Sequence, residues 1–214
     1  MKTLITVIFI SSLCISIGCN KQQTPSPATV TGTGISQSSV DLKIGMRKLW
    51  EDHVTWTRNV IFILVDGLPG KDQALARLMK NQDDIGNAIK PIYGDAAGKA
   101  LTDLLHSHIA ISADVVLSAK ANDKAGLDAA SKKWSDNADS IAAFLSSANP
   151  NWPLADMKKM MHDHLDLTTN EAVARIKKDY DADVKAYDKV HDEILAMSDM
   201  LADGIIKQYP DKFK

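Results

Sequence analysis

The chain has 214 residues, with 25 basic against 27 acidic side chains, a formal charge of −2 and a pI near 6.3. That balance gives no electrostatic footprint for gripping nucleic acid. With 45% hydrophobic and 24% charged residues, the composition excludes collagen-like, wholly disordered and multi-span membrane chains, and the length allows one domain or at most two.

Met1-Lys2-Thr3 places one positive charge ahead of an uncharged, mostly apolar run from Leu4 to Ile17. The run is shorter than the ~20 residues a spanning helix needs and fits the hydrophobic region of a secretory signal over 1–18. Ser16-Ile17-Gly18-Cys19 resembles the lipobox of bacterial lipoprotein precursors, with Ser16 where that family most often has leucine. The resemblance implies cleavage before Cys19 and acylation of Cys19. It also implies a membrane as partner, and a cell-envelope address with the domain facing the periplasm or the exterior. Asn20 resembles the outer-membrane pattern of Gram-negative lipoproteins. Cys14 then leaves with the signal and Cys19 carries lipid, so no thiolate remains for zinc–cysteine sites, cysteine nucleophiles or iron–sulfur clusters. Residues 19–41, nearly all Ser, Thr, Gln, Pro and Gly after the cysteine, have too little apolar surface to offset their ordering entropy and read as a tether.

From residue 42 to 214 apolar side chains recur at three and four, with no convincing period-two run. The punctuation predicts helices over 42–66, 71–90, 95–120, 124–148, 154–165 and 169–208. Asp66-Gly67-Leu68-Pro69-Gly70 closes the first, Lys90-Pro91 the second, and Asn149-Pro150-Asn151-Trp152-Pro153 the fourth. Thr168-Thr169-Asn170-Glu171 reads as a capping box opening a long last helix. Short connections favour antiparallel neighbours, so the expected fold is all-α, an up-and-down antiparallel helical bundle of four to six helices. A shift of 56 residues lays Asn81-Gln82-Asp83-Asp84-Ile85 on Asn137-Ala138-Asp139-Ser140-Ile141, and His106-Ser107-His108 on His162-Asp163-His164. The hairpins 71–120 and 124–165 therefore read as degenerate copies.

At 100° per residue His108 lies in the apolar stripe of its helix, His164 shares a face with Met157 and Met161, and His53 lies between Leu49/Trp50 and Trp56/Val60. His191 continues the face of Val184, Tyr187, Ile194 and Leu201, and Asp183 joins it two turns earlier; His106 and His162 point outward. His53, Asn81, His108, Asn137 and the Asp183/His191 pair fall near mid-helix, where antiparallel rods meet. The expectation is a polar layer across an apolar bundle, with Asp84 at its border. Two readings stay open. His53, His108, His164, Asp183 and His191 suit a divalent transition metal, with Asn81, Asp84, Asn137 and Tyr187 as candidate ligand contacts. Alternatively the layer only satisfies itself and fixes helix register. An enzyme using the same imidazoles as acid–base groups ranks below both.

Other chemistry has less support. Asp181-Ala182-Asp183 matches an Asp-x-Asp pattern, but two residues apart on a helix diverge too far to chelate one metal. No phosphate loop, dinucleotide fingerprint or nucleophile elbow occurs. The Trp residues at helical spacing read as core, and Met157, Met160 and Met161 as gap-fillers.

Leu49-Trp50-Glu51-Asp52-His53, the run Asn81 to Pro91, His164-Leu165-Asp166-Leu167-Thr168 and Ala186-Tyr187-Asp188-Lys189-Val190-His191 resemble a family of small bacterial helical proteins, over about residues 46–213. Relatives in that family carry secretion signals and have no established activity, although the label glycosyltransferase circulates among them. The resemblance implies that His53, Asn81, His108, His164 and His191 recur. The residues here offer no sugar-nucleotide site. Together these readings predict a lipid-anchored bundle that binds a metal ion or small polar ligand through its mid-bundle layer, or an anchored interaction module in which the layer is structural.

Overall fold

The computed structural model describes residues 36–214; the signal segment, Cys19 and the tether through residue 35 lie outside the described residues. Six helices follow in order: α1 Gln37–Asp66, α2 Lys71–Tyr93, α3 Asp95–Lys120, α4 Lys124–Ala148, α5 Leu154–Ile176 and α6 Tyr180–Gln208, with a short 3-10 turn Pro210–Phe213. Each helix packs on the next and α6 returns to α1, while α1, α3 and α5 also touch one another inside the ring. The domain is an all-α bundle, as the periodicity predicts.

The helix ends repeat a local device. Gly67, Asn122 and Lys178 each turn left-handed, with φ of 69°, 55° and 59°. The next amide in each case reaches back five residues: Leu68 to Ile63, Asp123 to Ser118 and Asp179 to Ala174. This is the Schellman closure, which satisfies orphan carbonyls at a helix end. Asp123 and Asp179 then cap α4 and α6 by accepting from the Gly126 and Ala182 amides.

Two boundaries differ from expectation. The first helix starts at Gln37, where Ser36 accepts the Ser39 amide, so the last part of the expected tether is helical. More consequentially, no break occurs at 166–168. Thr168 and Glu171 are buried inside α5, and the turn lies at Lys177-Lys178-Asp179. A lysine in the left-handed region leaves a weak signal beside a capping-box pattern, and burial of Thr168 and Glu171 overrides that pattern. Pro91 sits in the last turn of α2, where its missing N–H leaves only the carbonyl of exposed Asn87 without an intrahelical donor.

The repeat spans three hairpins, α1–α2, α3–α4 and α5–α6, rather than the two copies expected. Met46, Leu101 and Met157 are buried at equivalent places; so are Val54, Ile109 and Leu165 on the odd helices. On the even helices Leu78, Trp134 and Val190 correspond, as do Ile85, Ile141 and Met197. Each such side chain contributes about 1.5–3 kcal/mol by leaving water.

One contact departs from the symmetry. A Cβ on Gly86 would lie 2.0 Å from Thr102 Oγ1 and 2.7 Å from the Gly98 carbonyl oxygen, so α2 and α3 approach through paired glycines. Ala142 and Ser198 occupy the equivalent places on α4 and α6 and are buried without such crowding. Gly86→Ala is expected to lower stability by about 1–3 kcal/mol through overpacking, outweighing the ~1 kcal/mol an alanine gains in helix propensity; urea unfolding measures it.

Candidate functional site

The inner helices bring three histidines together. His53 on α1, His108 on α3 and His164 on α5 are each buried. The His164 ring centroid lies 5.8 Å from that of His53 and 6.5 Å from that of His108. They stand 55 and 56 residues apart, one per hairpin. Each is held through Nδ1 by a polar side chain 29 residues further on: Gln82 for His53 at 3.2 Å, Asn137 for His108 at 2.8 Å and Glu193 for His164 at 3.0 Å. The hairpin is thus the unit that positions each imidazole, its odd helix supplying the ring and its even helix the partner.

For His108 and His164 the partners settle where the protons are. Trp134 Nε1 donates to His108 Nε2 at 3.1 Å, so His108 carries its proton on Nδ1 and donates it to Asn137 Oδ1. The Asn137 amide nitrogen meanwhile donates to the Leu104 carbonyl at 3.1 Å. In the first hairpin two residues share these tasks. Asn81 donates to the Leu49 carbonyl at 2.9 Å, and the Gln82 amide nitrogen faces His53 Nδ1, the Leu78 carbonyl and Asn81 Oδ1. The Glu193 carboxylate accepts, so His164 carries a proton on Nδ1.

Burial sets the charge state. Loss of solvent, reinforced by His164 and then His108, holds His53 well below the ordinary imidazole value. Burial first, then His164, with the Asn137 bond opposing, lowers His108 to about 3. Both rings are neutral at pH 7.

All three imidazoles line a cavity of about 40 Å³ whose remaining wall is apolar apart from two indoles, those of Trp50 and Trp152. Both indole nitrogens are buried without a hydrogen-bond partner. A Cβ on Gly204 would meet Trp152 Nε1 at 2.0 Å, which shows that this N–H lies against the α6 backbone. Trp50, edge-on to His53 at 5.7 Å between ring centroids, is left with an unpaired donor beside the histidines.

The other expected ligands lie elsewhere. Asp183 is buried, but its oxygens accept from Arg58 at 2.9 Å and from Arg175 at 3.3 Å. Tyr187 belongs to the same cluster, with the Arg58 guanidinium 4.5 Å over its ring. His191 is partly exposed and stands 3.4 Å from Glu51; the buried stripe of α6 runs through Val190, Ile194, Met197 and Leu201, with Val184 in solvent. Asp84 pairs with Lys80 at 2.8 Å on the surface. His106 and His162 do face outward, to Asp83 at 2.9 Å and Asp139 at 3.0 Å. Gln82, Glu193 and Trp134 escaped sequence reasoning, although the 56-residue shift that aligns Asn81 with Asn137 continues to Glu193.

Compared with known proteins, the chain matches no family model, no curated protein and no solved structure. Its chemistry therefore rests on its own residues. Those residues do not suit a resident metal. Among the described residues no group of three or more His, Cys, Asp or Glu side chains is placed to hold an ion. The lone pair of His108 Nε2 is already engaged by Trp134, and Asp183 is held by two arginines. What the site offers is a small, largely apolar chamber with neutral His53 and His108 rings and an unpaired indole N–H.

Proposed function

We propose that the protein is a lipid-anchored lipoprotein of the cell envelope whose bundle captures a very small neutral molecule, bearing an acceptor oxygen, in the histidine cavity. The observation that carries the binding half is Trp50 Nε1, a buried N–H without a partner on the wall that three imidazoles share. An unmet buried donor costs about 1–3 kcal/mol, and an acceptor oxygen recovers it. A cavity of ~150 Å³ takes benzene, and a chamber of about 40 Å³ has roughly a quarter of that volume, so the occupant has about two heavy atoms. The anchor rests on the run Leu4 to Ile17 and on the likeness of Ser16-Ile17-Gly18-Cys19 to a lipobox.

Methanol is the probe. Titration is expected to shift the Trp50 indole N–H and the His53 ring nitrogens saturably, and Trp50→Phe is expected to abolish the effect; a shift that never saturates sinks the binding half. Zinc added alone is expected to leave the ring nitrogens of His108 unchanged. Cys19→Ser is expected to release the protein from the membrane fraction, and unchanged retention counts against acylation. The second reading, a layer that only sets register, is favoured by the Nδ1 contact that every hairpin makes to a polar side chain 29 residues further on. It predicts no methanol response and Trp50→Phe at full stability.

A further inference from the structure

Beyond the histidine layer the same three inner helices enclose a second chamber, of about 70 Å³. Whereas the histidine cavity is lined by residues that precede His53 and His108 on their helices, such as Met46 and Leu101, this one is lined by residues that follow them. Its walls are largely apolar, from Val60, Ile61, Leu64, Val116 and Ala172. Four hydroxyl residues also line it: Thr169, and the set Thr57, Ser112 and Thr168, which are again repeat equivalents, four residues beyond the histidines. Two of that set are spent on their own helices: Thr57 donates to the His53 carbonyl and Ser112 to the Ile109 carbonyl, each at 2.8 Å. The third is not. Thr168 is 5% exposed and its Oγ1 is buried with no partner.

We propose that this chamber is a second binding site, for a short-chain alcohol or a similar amphiphile of about three heavy atoms, with its oxygen on Thr168 Oγ1 and its carbons among the aliphatic walls. The size follows from comparison: a dry cavity of ~150 Å³ takes benzene, and this one has about half that volume. The apolar wall excludes a charged ligand, since no counter-charge lines it. The unpaired hydroxyl selects an oxygen over a plain hydrocarbon. The chamber also lies close to the surface. A shallow surface hollow at the α3–α4 turn shares Ala119, Leu127 and Val173 with the chamber, and Thr169 at the chamber's rim is exposed.

Ethanol titration followed by methyl resonances tests this. Saturable shifts are expected at Leu64, Val116 and Ala172 and not at Ile141 or Leu145, which line the histidine cavity. Thr168→Val keeps the side-chain shape and is expected to weaken binding about fivefold, the worth of one hydrogen bond. Ala172→Leu fills the chamber and is expected to abolish the shifts while the thermal transition persists. Shifts that fail to saturate, that appear at Ile141 and Leu145 instead, or that keep their midpoint in Thr168→Val overturn the assignment.

Discussion

Lowering the pH from 6.5 to 3 is expected to cost this bundle most of its stability, and the slope is expected to steepen on the way. Unfolded, His53 and His108 take up protons near pH 6.5. Folded, burial lowers His108 to about 3 and His53 well below its ordinary value. Below pH 6.5 the unfolded chain therefore binds more protons, and each of these histidines removes about 1.4 kcal/mol per pH unit until its folded pKa is reached. For His108 alone that amounts to ~5 kcal/mol, against a total of roughly 5–15 kcal/mol for a domain. Glu171 works the other way. Burial raises it to about 7, with Arg58 only partly opposing, so the folded state holds its proton more tightly and gains stability as pH falls from 7 to about 4.5. Between 6.5 and 4.5 the carboxyl offsets one imidazole; below 4.5 that offset is exhausted and the loss per unit steepens. Urea midpoints taken at half-unit steps from pH 8 to 4 read this curve directly. His108→Gln is expected to flatten it by one histidine's share, and a flat profile between 6.5 and 5 would mean that the imidazoles are not held neutral in the core.

Sequence periodicity was enough to place the helices and the histidine layer, because both follow from where apolar residues fall on a 3.6-residue turn. His53, His108, His164 and Asn81 are buried together for that reason, and His106 and His162 face solvent for the same one. Residues at the edge of a stripe are less determined: Asp84 falls to the solvent side of α2 and pairs with Lys80. The expected stripe of α6 runs through Val184 and His191, whereas the buried stripe of Tyr180–Gln208 passes through Val190 and Ile194. One residue of phase is 100° on a helix, enough to put His191 at the surface and to hide Glu193. Partner identity was less legible still. No pattern along the chain announces that Trp134 donates to His108 or that Arg58 meets two carboxylates, since those bonds join side chains more than 20 residues apart.

Arg58→Met is expected to be the most damaging single substitution outside the apolar core, costing about 3–5 kcal/mol at pH 8. Arg58 Nη1 donates to Glu171 at 2.6 Å and to Asp183 at 2.9 Å, and both carboxylates are nearly sealed from water. Asp183 keeps Arg175 when Arg58 is lost, so the stranded charge is that of Glu171. The penalty should shrink as pH falls below 7 and Glu171 takes a proton. The internal repeat names the remedy: Val60 and Val115 occupy the places equivalent to Glu171 in the first two hairpins and are buried there. Glu171→Val in the Arg58→Met background is expected to return stability to within about 1 kcal/mol of the parent, because an apolar side chain of fitting size replaces an ion pair whose desolvation nearly cancels its attraction. Calorimetry of the two variants at pH 8 and pH 6 decides it: a double variant as unstable as Arg58→Met alone would mean that the arginine acts through its stacking on Phe62 and Tyr187 rather than through charge. If stability does return, the ion cluster contributes placement. Three hairpins with nearly equivalent apolar faces need something that tells the third from the others, and the only hairpin with a buried carboxylate at this position is the one whose α6 closes the ring on α1.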